Sequence, residues 1–224
     1  MNRYLLILFV FLFSASAQAE IGLQLSAHHH YWNSRFEKND NAPALGIGLG
    51  YIQDRLYVTG AYTYNNHDRK RDNDSSLDAA SFPLTEVDIG IGYNIVTNIS
   101  AFIGYRYQNI SYENDINSDE SFYESGHGLG TGIKFNQLLT SKWVLYESIS
   151  LSTLWMKNQH ETLDIGNYQD FSFNAMLGVL YRLTPMHSVS LDIAYKGSSL
   201  THSEESLENS RGYLKTGLNL LVVF

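Results

Sequence analysis

Residues Ser210 to Phe224 read Ser-Arg-Gly-Tyr-Leu-Lys-Thr-Gly-Leu-Asn-Leu-Leu-Val-Val-Phe. Alternation with a period of two puts Leu214, Thr216, Leu218, Leu220, Val222 and Phe224 on one face, and Arg211, Tyr213, Lys215 and Asn219 on the other. That is a strand with one apolar face and one polar face. A helix would scatter both sets around its axis.

The same pattern recurs along the chain between turn signals, in about ten segments. The outward, apolar sets are Ile21, Leu23, Leu25 and Ala27; Leu45, Ile47, Leu49 and Tyr51; and Leu56, Val58, Tyr62 and Tyr64. They continue with Val87 to Ile95, Ile99 to Tyr107, Leu129 to Phe135 and Leu145 to Trp155, taken two by two. Phe171 to Tyr181 and Val189 to Tyr195 follow before the last segment. Eight strands is the alternative, if two of these segments are hairpins within loops.

Met1 to Ala19 carries an early positive charge at Arg3, an apolar run from Leu5 to Phe13, and small residues ending in Ala17-Gln18-Ala19. This is the layout of a cleavable secretory signal, with 20–224 as the mature domain. The apolar run is too short to span a bilayer as a helix, and no later segment is longer, so any membrane crossing requires strands. A mean hydropathy of -0.21 fits that reading, because a barrel shows only half of each strand to lipid.

Composition narrows the function classes. There is no cysteine, which removes disulfide staples and thiolate chemistry. The formal charge of -8 argues against nucleic acid as a partner, since phosphate binding needs clustered Lys and Arg.

Connections alternate between short and long. Short turns are expected at Gln53-Asp54-Arg55, Val96-Thr97-Asn98, Thr140-Ser141-Lys142 and Thr184-Pro185-Met186. Long loops are expected from Ser34 to Pro43, Asn66 to Leu84, Glu113 to Glu124, Lys157 to Gln169 and Ser199 to Asn209. Short turns on the periplasmic side would place both termini in the periplasm. Aromatics gather near both ends of the apolar band: Tyr51, Tyr93, Phe135, Trp143, Tyr181 and Phe224 at one, and Tyr31, Trp32, Tyr64, Tyr107, Trp155 and Phe171 at the other.

With its terminal aromatic, the final strand resembles the last strand of Gram-negative outer-membrane β-barrels, where that residue serves as an assembly signal. The mature sequence as a whole resembles the small porin-like, opacity-like and adhesion barrels by pattern, without a catalytic motif. The resemblance implies an all-β, antiparallel, transmembrane up-and-down barrel, resident in the outer membrane as a monomer. It also implies contact with the barrel-assembly machinery through Phe224, and with outer-membrane lipids and lipopolysaccharide.

Charge placement agrees, because Lys or Arg on a lipid-facing position at the bilayer midplane costs about 2–4 kcal/mol. Asp88, Arg106, Lys134, Arg182, Asp192, Lys196, Arg211 and Lys215 all fall opposite the apolar faces. They form either a filling network or the lining of a narrow channel. With Glu86, their balance is mildly positive, so a path would prefer anions. Glu147 breaks the rule, and strict alternation points it outward; a β-bulge near Leu145 or a place near the interface would account for it.

Inward glycines, Gly46, Gly48 and Gly50, Gly90 and Gly92, and Gly126 to Gly132, leave volume. That volume either accommodates bulky partners such as Phe102, Tyr146, Met176, Leu180 and Arg182, or remains a cavity.

Seven histidines lie toward the long-loop side, and His28 and His30 share a face. With a loop histidine those two would bind a transition metal, but no thiolate or carboxylate ligand is fixed by spacing, so neither metal nor cofactor is expected. The pairs that proteolytic barrels use are not matched; Asp72 and Asp74 sit in a polar loop. The loop charges, including Arg69-Lys70-Arg71, Glu113-Asn114-Asp115, Asp119-Glu120 and Glu204-Glu205, are solvating or contact lipopolysaccharide phosphates. The expected function is therefore non-enzymatic: surface interaction or envelope integrity through the loops. A narrow passive channel is the first alternative, and a lipid-modifying or proteolytic barrel enzyme the second.

Overall fold

A computed structural model describes residues 19–34, 37–69, 80–114, 122–160, 164–202 and 209–224. They form ten strands: β1 (Glu20–Ser34), β2 (Glu37–Gln53), β3 (Leu56–Arg69), β4 (Ala80–Val96), β5 (Ile99–Asn114), β6 (Phe122–Leu138), β7 (Trp143–His160), β8 (Asp164–Arg182), β9 (His187–His202) and β10 (Asn209–Val223). Each strand pairs antiparallel with its sequence neighbours, and β1 pairs with β10 to close the barrel. Closure leaves no unpaired edge. The stretch Met1 to Gln18 expected to be a signal lies outside the described residues.

Every outward set expected from the sequence is outward. Leu45, Ile103, Leu129 and Leu191 are 61 to 69% exposed, a belt of bare hydrocarbon that water would not tolerate over such an area. Trp143 and Trp155 stand twelve residues apart on β7, roughly 30 Å along the barrel axis at about 3.3 Å per residue and a tilt of about 40°. The spacing matches the hydrocarbon thickness of a bilayer. At the lower end of this band Trp143 packs on Tyr181 with ring centroids 4.6 Å apart.

Four tight connections define one end of the barrel, here the turn end, and the long loops define the other. Asp54 takes a left-handed φ of 52° between β2 and β3, a conformation that the short polar side chain of Asp tolerates. Two of the other turns use a threonine. Thr140 Oγ1 accepts from the backbone N–H of Lys142 and Trp143, and Thr184 Oγ1 from those of Met186 and His187. These hydroxyls satisfy donors that the ladder leaves open.

The strands run further into the long connections than alternation suggested. Crossing the membrane takes about 9–11 residues, whereas β8 has 19 and the shortest strand, β3, has 14. Pro43 and Pro83 fall within β2 and β4 rather than in loops. Beyond the apolar band both faces meet water, so the ladder continues where hydrophobic periodicity no longer reports it. The register between β6, β7 and β8 is continuous through Leu145, Tyr146 and Glu147. The bulge expected near Leu145 is therefore absent; Glu147 points outward, exposed, beside Phe135 and near the turn end, close enough to the interface for its carboxylate to reach water.

Candidate functional site

The inward face of the strands carries the polar chemistry, and the glycines decide how it packs. A Cβ on Gly92 would collide with the Tyr57 ring, one on Gly178 with the Tyr146 ring, and one on Gly132 would come within 2.6 Å of Phe102 Cζ. Three glycines thus seat three aromatic rings across the turn-end half of the lumen. Gly92 and Gly132 play the room-making role expected of the glycine wall, for Tyr57 and for the expected Phe102, whereas the expected Tyr146 is seated by Gly178, outside that wall. At the opposite end, Leu154, Met156 and Tyr168 form a buried apolar cluster, and His30 is fully buried, with its Nδ1 3.2 Å from Asn65 Nδ2.

Between these two levels lies a charged middle. Arg106 donates from Nε to Asp88 Oδ1 at 2.6 Å and from Nη2 to Oδ2 at 3.1 Å, the two-pronged geometry that suits a guanidinium and a carboxylate. Asp192 accepts from Asn219 Nδ2 at 2.5 Å and from the Tyr146 hydroxyl at 3.3 Å. Asn219 also donates to Ser190 and accepts from Gln24 Nε2 at 2.9 Å, which ties β9, β10 and β1 together from inside. Buried Glu86 has Arg106, Lys196, Lys215 and His28 as its electrostatic neighbours. A polar cavity of about 200 Å³ remains, bordered by His28, Glu86, Asp88, Arg106, Asp192 and Lys215.

The structure therefore brings Asp88, Arg106, Asp192, Lys196 and Lys215 into one neighbourhood. Lys134 stands apart, its ammonium 5.4 Å from the centroid of Tyr57 and 5.8 Å from that of Phe102. Arg182 is the exposed last residue of β8 at the turn-end mouth, and the side chains of Arg211 and of the loop charges lie outside the described residues. His28 and His30 have ring centroids 6.4 Å apart, and among the described residues no three His, Cys, Asp or Glu side chains are placed to hold a metal.

Sequence reading missed Glu124 and Asp170, both buried and facing inward. Each continues the even-numbered inward set of its strand, Gly126 to Gly132 and Ser172 respectively, so extending the alternation by one inward position, for Glu124 into the supposed loop, would have found them. They reduce the mildly positive balance expected of the lumen to near neutrality.

A family model described as an outer membrane protein beta-barrel domain matches residues 5–220. The chain belongs to this family. As an outer-membrane β-barrel of Gram-negative type, it is similar in fold to the β domain of the Bordetella autotransporter BrkA, at 11% identity and a TM-score of 0.53 over 89% of this chain and 98% of that one. Other similar structures are neisserial surface protein A, at 14% identity and a TM-score of 0.48 over 90% and 96%, and the Escherichia coli outer membrane protease OmpT, at 11% and 0.48 over 92% and 96%. No curated protein sequence matches. At such identities the likeness concerns the fold alone.

Proposed function

We propose that this outer-membrane barrel is a non-enzymatic surface protein that works through its loop end, with its turn end and both termini in the periplasm. One observation carries the reading: the lumen is filled at two levels, by Tyr57, Phe102 and Tyr146 near the turns and by Leu154, Met156, Tyr168 and His30 near the loops. Barrels of eight to ten strands have little room for a water column once such side chains occupy them. The strands continue well past the apolar band only on the loop side, which raises a rigid collar for contact with lipopolysaccharide or a surface partner. Carboxylates that a hydrolase would need free are engaged by structural partners, Asp88 by Arg106 and Asp192 by Asn219 and Tyr146. Phe224 is assigned to recognition by the assembly machinery, and the barrel acts as a monomer.

The polar cavity favours a second reading, a narrow passive channel. Single-channel recording of the folded barrel in planar bilayers separates the two. A silent barrel, with surface binding lost on shortening the loops, supports the first reading; stable open steps support the second.

A further inference from the structure

We propose that the turn-end half of the lumen holds a small monovalent anion of the halide class, bound by the Lys134 ammonium with the hydroxyls of Tyr57 and Ser148. Register places Ser100 and Ser148 directly on either side of Lys134 in one inward row across β5, β6 and β7. The neighbouring inward row carries Tyr57, Gly92, Phe102 and Gly132. Ser100 and Ser148 are 3 and 5% exposed and Tyr57 8%.

The charges are sorted unevenly. Arg106, Lys196 and Lys215 each have carboxylates among their neighbours. Among the described residues Lys134 makes no ion pair, and its ammonium meets two ring faces. Ring faces favour an ammonium through their quadrupole but do not neutralise it. A cation removed from bulk water needs a counter-charge or hydrogen-bond acceptors. Its surroundings supply hydroxyls: Ser100 donates to the Tyr57 oxygen, which leaves the phenolic proton to be given, and Ser148 can turn its own proton inward. A cluster of donors around an uncompensated positive charge is complementary to an anion. Size follows from the glycines, since the space above Gly92 and Gly132 is already taken by the Tyr57 and Phe102 rings.

The test titrates chloride into the purified barrel in detergent, starting from a chloride-free sulfate buffer, and follows the amide resonances of Ser100, Gly132 and Ser148. The expected result is a saturable shift confined to these residues, accompanied by a thermal midpoint that rises with chloride as ligand linkage requires. Lys134→Met abolishes both responses, and Tyr57→Phe weakens the apparent affinity several-fold. If Lys134→Met does not fold, Tyr57→Phe and Ser148→Ala carry the same comparison. A response absent from the wild type, or equal in the wild type and the variants, overturns the proposal and leaves Lys134 as a hydrated cation.

Discussion

Arg106 and Asp88 are register partners across β4 and β5, and both hydrogen bonds of their ion pair run along that one rung of the ladder. The pair borders the polar cavity, with side-chain exposures of 26 and 40%, so it is only partly desolvated and its net worth stays near that of a well-formed surface pair. Asp88→Asn is expected to lower unfolding stability by about 1 kcal/mol, as read by urea titration with gel mobility. A double-mutant cycle with Arg106→Gln should return a coupling of similar size.

Gly132 and Gly50 give opposite predictions for the same chemical change. A Cβ at Gly132 would sit 2.5 Å from the Ile149 carbonyl oxygen and 2.6 Å from Phe102 Cζ, whereas one at Gly50 meets nothing within 4 Å. Gly132→Ala is expected to cost about 1–3 kcal/mol by overpacking. Gly50→Ala should stay within about 0.5 kcal/mol of wild type in the same titration.

Leu154 is fully buried and anchors the upper seal with Met156 and Tyr168. Leu154→Ala should destabilise the barrel by about 2–4 kcal/mol through the cavity it leaves. If the seal closes the lumen, this variant should also show brief conductance events in planar bilayers that the parent lacks.

Outward positions separate by depth. Ile103, 65% exposed in the middle of the apolar band, should lose about 2–4 kcal/mol on substitution by Lys. Glu147→Leu should instead gain up to about 1 kcal/mol, because the carboxylate lies toward the turn-end interface, where the penalty for charge is small. Reversible unfolding from lipid vesicles reads both.

Wherever hydrocarbon enforces a two-residue period, the sequence was legible: ten strands, four tight turns and the direction of each apolar residue follow from it. Above the band that constraint lapses, which is why Pro43 and Pro83 were read as loop and why Glu124 and Asp170 were not recognised as inward. Within the lumen, parity identified the charged set but not its grouping. That Arg106 meets Asp88 while Lys134 meets two ring faces depends on strand register across the barrel, which no single strand encodes. Glu147 was the one outward charge that parity flagged, and its depth, rather than a bulge, accounts for it.

The seam between β1 and β10 has a kinetic consequence. Every other rung of the barrel joins neighbours in sequence and can form by local hairpin zipping, but the Gln24 to Asn219 contact spans 195 positions. Loop-closure entropy is therefore concentrated in one event. Folding should proceed as rapid local ordering followed by a single slow circularisation, so substitutions at Gln24 or Asn219 should alter the rate of closure without slowing hairpin formation.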